Sequence, residues 1–331
     1  MNTDFSHLLR ARGVLRSTDA TLTPLTGGVS SEIYRADDSG RVFVVKRALA
    51  KLKVAAEWFA DTRRNAHEQA YLTYVARFRP DAVPAVLAGG EDEGWFAMEF
   101  LEGFANWKSE LLVGRADPGT ATRAAAILGE IHARSHGDAT AQRRFATDAN
   151  FHELRIAPYL LATAERAENA DLRRLILDDA AALAARREAL VHGDFSPKNL
   201  LVRPDRLVVL DCEVAWYGDP AFDVAFLLAH LLLKALHHAP EGAAPLRPLF
   251  DAALAAYREA QPTLAEPVLA RTPRLLRWLL LARVDGKSPV EYLAPEKQAC
   301  VRRFVRTHTL DAPPLEHFAD RWFAALASTF P

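Results

Sequence analysis

The chain has 331 residues, half of them hydrophobic, with 41 basic and 42 acidic residues and a formal net charge of −1. That length exceeds the roughly 250 residues at which one hydrophobic core usually divides, so two lobes are expected. The balanced charge excludes a global electrostatic grip on nucleic acid or anionic lipid and makes any anion site local. Two cysteines, Cys212 and Cys300, stand far apart with no CxxC or Cys/His cluster, which excludes a soft-metal site of the usual spacing and fits a reducing compartment.

The opening "MNTDFSHLLRARGVLRS" contains no apolar run of signal-peptide length, and a cytoplasmic location is expected. From Thr21 to Phe100, turn signals separate short strand patterns: "LTPLTGGVSSEIYRA", then "RVFVVKRA" after Ser39-Gly40, then "GWFAMEFLEG" after "GGEDEG". These predict a small antiparallel sheet. Between the second and third strands, "DTRRNAHEQAYLTYVARF" places Ala66, Ala70, Tyr71, Tyr74 and Val75 at helical spacing, so one helix crosses the sheet.

Beyond Gly103 the chain turns helical, with 3.6-residue apolar periodicity in "TATRAAAILGEIHARSHG" and "DLRRLILDDAAALAARREAL". The most apolar stretch, "AFDVAFLLAHLLLKALHH", carries Asp223, His230 and Lys234 and reads as a buried helix. One exception interrupts the helical half: in "NLLVRPDRLVVLD" two apolar runs flank Arg203-Pro204-Asp205-Arg206, the pattern of a β-hairpin. The fold class expected is therefore α+β, with a small antiparallel-sheet lobe over residues 1–102 and a larger helical lobe over 103–331.

Chemistry concentrates around the hairpin. Asn199 enters its first strand and Asp211 leaves its second, so both side chains can share one volume at the open end. Oxygen donors of this kind suit Mg²⁺. Asp194, in the preceding "VHGDFSPKN", is placed to orient a hydroxyl and accept its proton, an arrangement suited to phosphoryl transfer to an alcohol.

"HGDFSPKN" followed by "LDCE" resembles the catalytic and metal-binding loops of the aminoglycoside phosphotransferase and choline kinase group, which has the bilobal protein-kinase-like fold. The resemblance implies Asp194 as catalytic base and Asn199 and Asp211 as Mg²⁺ ligands, with His192 bracing the loop. Upstream elements follow in matching order. "LTGGVSSEIYRA", with Gly27, Gly28 and Ser30, resembles a strand-turn-strand cover whose amides cradle ATP phosphates. Lys46 in "VFVVKRA" would hold the α- and β-phosphates with Glu68 as its helix-borne partner, and "WFAMEFLEG" would form a strand and a hinge near 99–102, where backbone groups from Glu99 to Leu101 would bind adenine.

Two segments are similar to 5-methylthioribose kinases in particular: the stretch from Lys46 to Glu68, with Trp58 inside it, and "LDCE", where Glu213 follows Asp211 in an Asp-x-Glu motif continued by "AWYGDPAFD". Glu213 either binds a second Mg²⁺ or bonds backbone near Asp211. Trp58 either covers substrate or packs the lobe. Lys198 either neutralises the transferred phosphate or faces solvent. In "RWLLLARVDGKSPVEYL", Arg283 and Lys287 form either a polar rim for the acceptor or surface ion pairs. Asp219 and Asp223 are expected to hold the loop and cap the next helix.

The function expected is ATP- and Mg²⁺-dependent phosphorylation of a small-molecule hydroxyl, of the methylthioribose type. An aminoglycoside or amino-alcohol acceptor is the alternative, and a nucleotide-sensing pseudokinase is the alternative of another class. No nucleic-acid or membrane partner is expected, and a homodimer is left open.

Overall fold

The computed structural model describes residues 3–25, 31–49, 64–90, 93–308 and 313–329. They belong to two compact units, one of Met1–Phe104 with Val208–Glu213, the other of Ala105–Leu207 with Val214–Pro331.

The first unit is a five-stranded sheet in the order β1-β2-β3-β5-β4, with β1 Thr21–Pro24, β2 Ser31–Asp38, β3 Arg41–Ala48, β4 Val86–Gly90 and β5 Trp95–Glu99, every neighbouring pair antiparallel. Side-chain alternation gives the sheet two faces. Phe43 and Val45 of β3 pack with Ala36, Trp95 and Ala97 beneath Phe5 and Leu9 of helix α1, Thr3–Ala11. Lys46 points to the other face, toward helix α2, Arg64–Ala76, whose Glu68, Tyr71, Leu72 and Val75 are buried at one-face spacing. The sheet and its helix match the expected elements, β1 and β2 both lying in the first strand pattern, with β4 added at an edge.

The second unit is mainly helical. In chain order it holds α3 Trp107–Leu112, α4 Pro118–Ser135, α5 Ala139–Arg144, α6 Asp148–Phe151, a π-helical stretch His152–Leu161, α7 Ala162–Glu165, α8 Ala170–Ala185, α9 Ala221–His238, α10 Arg247–Ala260, α11 Ala265–Asp285, α12 Pro295–Thr307 and α13 Leu315–Thr329. Helix α9 runs through its core, buried from Ala221 to Leu236 and packed on α11. Its length and mean hydropathy of 1.3 would allow it to cross a membrane, but 89% of it is buried inside the protein, as in the centre of a large helical core.

Two short strand pairs complete the architecture. β7 Ala189–Val191 pairs antiparallel with β10 Trp216–Gly218. The predicted hairpin forms β8 Leu200–Arg203 and β9 Arg206–Val209, in a sheet with β6 Ala105–Asn106. The chain is thus α+β, an antiparallel sheet with α1 on one face and α2 on the other, followed by a helical remainder.

Candidate active site

In the first unit the crossing helix meets the third strand. Lys46 Nζ lies 2.6 Å from Glu68 Oε2 and 2.8 Å from Asp211 Oδ1, and only 3% of the lysine is exposed. Burial opposes a charge at Lys46, but Asp211, Glu68 and Glu213 together outweigh it and hold the ammonium well above the usual lysine range. Burial pushes Glu68 up to about 7, against the pull of Lys46, with Asp211 and Glu213 adding to the rise. Asp211 takes a left-handed backbone conformation, φ 59°, which a non-glycine residue rarely adopts.

Glu68, Asp211 and Glu213 can each bring a carboxylate oxygen within 4.8 Å of the others. Arg64, buried on the first turn of α2, donates through Nε to Glu213 at 3.1 Å and through a terminal nitrogen to the Leu49 carbonyl. Three carboxylates thus face two cations, Lys46 and Arg64. The residual negative charge and the hard oxygen donors fit a divalent ion such as Mg²⁺. Cys212, between the two acids, is buried and its thiol is pushed well up by that burial, which keeps it out of a ligand role.

The loop between β7 and β8 presents Asp194 in the second unit. Gly193 has φ 78°, and a Cβ there would stand 2.8 Å from the Val214 carbonyl, so only glycine fits. Asp223, at the start of α9, accepts from the His192 N–H at 2.6 Å and the Gly193 N–H at 2.9 Å. The His192 ring nitrogen Nδ1 accepts from the Asp194 N–H at 3.1 Å, and Asn199 Nδ2 donates to the Asp194 carbonyl at 3.0 Å. The backbone of His192, Gly193 and Asp194 is therefore pinned by side chains rather than by a sheet ladder.

Two cations converge on the Asp194 carboxylate, which is 5% exposed. Arg155 reaches Oδ2 at 3.0 Å and Lys198 reaches the same oxygen at 2.8 Å. Arg155 also donates through Nε to the Gly193 carbonyl. It comes from the π-helical stretch, whose wide turn sets the Arg155 guanidinium 5.7 Å from the ring centre of Tyr159. Tyr159 in turn accepts from Arg283 at 3.1 Å, and Arg283 and Arg155 bring its hydroxyl below the ordinary tyrosine range although burial pulls upward.

Lys46, Glu68, Asp211 and Glu213 therefore assemble within one unit, and Asp194, Asn199 and Lys198 within the other. Glu99 ends β5, where its N–H donates to the Ala85 carbonyl at 2.9 Å and its carboxylate accepts from the Ala85 N–H at 3.2 Å; Leu101 follows, half-buried. Arg283 is buried and bonded to Tyr159 and Ser288, whereas Lys287 is exposed. Gly27, Gly28, Ser30 and Trp58 lie outside the described residues. Arg155 and Arg64 were not expected from the sequence. The signal each carried was a charged residue among buried positions, Arg155 between Leu154 and Ile156 in "HELRIAPYLL".

Residues 21–263 match the family described as the phosphotransferase enzyme family. The chain is 24% identical over 236 residues to methylthioribose kinase of Bacillus cereus strain AH187, and 24% identical over 233 residues to that of Bacillus mycoides strain KBAB4. Each match covers 63% of this chain but 59% of the relative, so the chain spans less than two thirds of those proteins. Among solved structures, an amicoumacin kinase complexed with AMP-PNP, Ca²⁺ and Ami superposes with a TM-score of 0.58 at 16% identity, covering 95% of this chain and 97% of that one. Plasmodium vivax ethanolamine kinase gives 0.57 at 10% identity, covering 99% and 89%. The family match takes in β1 through the whole of α10, including both loops just described, and the chain belongs to the phosphotransferase enzyme family, with the kinase-like fold of these structures.

Proposed function

We propose that this protein is an ATP-dependent kinase that transfers the γ-phosphoryl group to a hydroxyl of a small molecule. The observation that carries this reading is Lys46, buried and charged between Glu68 and Asp211, in a member of a phosphotransferase family. An ammonium fixed in that way serves to hold the phosphates of a nucleotide.

In this reading Asp194 accepts the proton of the acceptor hydroxyl, whose oxygen bonds to the γ-phosphorus while the bridge to the β-phosphate breaks and ADP leaves. Arg155 fixes the direction of that carboxylate. Lys198, paired with Asp194, offers a positive charge to the phosphoryl oxygens. Lys46 takes the α- and β-phosphates with Glu68 as its orienting partner; Gly27, Gly28 and Ser30 supply covering amides, and backbone from Glu99 to Leu101 meets adenine. A divalent cation, Mg²⁺ in our reading, would be held by Asn199, Asp211 and Glu213 and would neutralise phosphate charge. Arg283, and less directly Trp58 and Lys287, are assigned to the acceptor.

Relatives that phosphorylate methylthioribose favour a sugar-type acceptor. The cations at Asp194 count against a cationic aminoglycoside or amino alcohol, which would meet repulsion there. ATP consumption should be measured with Mg²⁺ against sugars, methylthioribose included, sugar acids, sugar phosphates, amino alcohols and aminoglycosides, with Asp194→Asn as the comparison. Turnover that falls at least about a hundredfold in the variant supports the reading, in keeping with the loss of a general base. Nucleotide binding with no consumption on any acceptor would instead make the chain a nucleotide sensor.

A further inference from the structure

Helix α9 carries two buried basic residues, His230 and Lys234, that the reaction above leaves unused. Lys234 is fully buried, its Nζ has no hydrogen-bond partner among the described residues, and it stands 3.7 Å from the centre of the Tyr292 ring. One turn earlier, His230 is 6% exposed, edge-on to Phe226 at 5.0 Å, with Nε2 likewise without a partner. The Tyr292 hydroxyl, buried beside them, also lacks one. Apart from Asp223, which holds the Asp194 loop, the other buried positions of α9 are Leu, Phe, Ala and Val, so the packing of the helix does not call for an ammonium at 234.

Burying such a group without compensation is costly, and native interiors leave few polar atoms unpaired. Glu291 is the acid whose charge favours the Lys234 ammonium, but it is ion-paired with Lys108. Burial first, then the charge of Lys108, bring Lys234 down to about 7, with Arg283 contributing. Burial and the positive charges of Arg283, Lys234, Lys198 and Lys108 likewise keep His230 neutral, well below its usual range. Arg283 completes the set: its terminal nitrogen is committed to Tyr159 and Ser288, whereas its buried Nε has no acceptor among the described residues.

A continuous path joins this cluster to the candidate base. Asp194 pairs with Arg155, Arg155 covers Tyr159, and Tyr159 bonds Arg283 and meets Phe226, the neighbour of His230. At its far end Lys234 Nζ and Arg283 Nε are buried donors with no acceptor among the described residues, a deficit that an oxygen-rich anion would fill.

We propose that the acceptor carries an oxyanion, a carboxylate or a phosphate, which Lys234 and Arg283 take up while the acceptor's hydroxyl is presented to Asp194. The substrate class is then a hydroxy acid or a phosphorylated sugar. This rests on the kinase reading and narrows it: a neutral sugar would leave the buried cations uncompensated, and an amino alcohol would be repelled.

The full chain should be titrated with glycerol 3-phosphate, glycerate, inorganic phosphate and glycerol by calorimetry, in buffers of different ionisation enthalpy. Wild type should be compared with Lys234→Met, whose side chain has similar length and suits the core, and with Lys234→Gln should the first variant not fold. Saturable binding of at least one oxyanion and none of glycerol is expected, weakened about tenfold or more by the substitution, as for loss of a hydrogen bond to a charged group. Binding above pH 7 should also take up a proton, which a merely structural lysine would not produce.

ATP consumption is then measured on neutral and anionic partners of each acceptor, glycerol against glycerate and ribose against ribose 5-phosphate. A higher kcat/KM for the anionic partner, with KM raised and kcat kept in Lys234→Met, supports the proposal; the better of carboxylate and phosphate identifies the group. Turnover on neutral acceptors alone, or oxyanion binding indifferent to Lys234, would overturn it and leave the kinase reading standing. Oxyanion binding that depends on Lys234 without ATP consumption on any acceptor would keep the anion site but overturn its role in the acceptor and the kinase reading together.

Discussion

Arg155 reaches the Asp194 carboxylate at 3.0 Å from a π-helical turn that lies about forty residues earlier in the chain, and its Nε holds the carbonyl of Gly193. One guanidinium thus fixes both the reactive side chain and the backbone that presents it. Its replacement removes one of the two cations seen on the buried Asp194, and the other, Lys198, is half-exposed.

Arg155→Met is therefore expected to cost about 3 kcal/mol of stability, the usual consequence of breaking a buried pair from one side. It should also lower kcat about a hundredfold through misplacement of the base. Urea unfolding and steady-state kinetics check the two effects separately. A variant with wild-type kcat would show that Asp194 needs no orientation from Arg155.

Gly193→Ala should damage the same loop by a different route. The new methyl would sit 2.8 Å from the Val214 carbonyl at φ 78°. A loss of roughly 1–3 kcal/mol is expected from the left-handed backbone and the contact, together with loss of turnover. Unfolding with an unchanged denaturant slope would locate the cost in the native loop.

Lys46 and Glu68 should behave as a coupled pair. Lys46→Met leaves Glu68 and Asp211 facing each other without their shared cation, a cost of about 3–5 kcal/mol. Adding Glu68→Gln should recover part of that loss, because the second substitution removes an unpaired buried charge. Additive effects in a double-mutant cycle would argue that the two side chains do not share one interaction.

Lys234 gives stability a pH dependence with a definite sign. Its folded value is about 7 against an ordinary 10.5, with burial as the first cause. Between these values the unfolded chain holds the proton that the folded chain has lost, so this group's contribution to stability rises with pH. Its burial penalty is fully present below pH 7 and is relieved toward pH 10.5. Lys234→Met should thus stabilise the protein most at pH 6 and progressively less at pH 8 and above, as measured by Tm across that range. A gain independent of pH would mean that the lysine is not desolvated.

Much of this protein was legible in one dimension. The apolar period placed α2, the family resemblance picked out Glu68 on it, strand patterning placed Lys46 in β3, and two apolar runs around a Pro-Asp turn predicted β8 and β9. Such patterns survive because backbone geometry is local: a strand repeats every two residues and a helix every 3.6, whatever packs against them. The motif order around Asp194 and Asp211 was sufficient to place the chain in its family.

Tertiary structure decided which charges meet. Lys46 and Asp211 are 165 positions apart, and Arg64 and Glu213 are 149 apart. No local period records such a separation; side chains so distant are brought together by the packing of whole elements. The sequence likewise marked Lys234 only as an exception in an apolar run. Its depth, its missing hydrogen-bond partner and the cations around it exist only once α9 is enclosed by α11 and the segment bearing Tyr292, because desolvation and Coulomb forces depend on distance in space rather than along the chain.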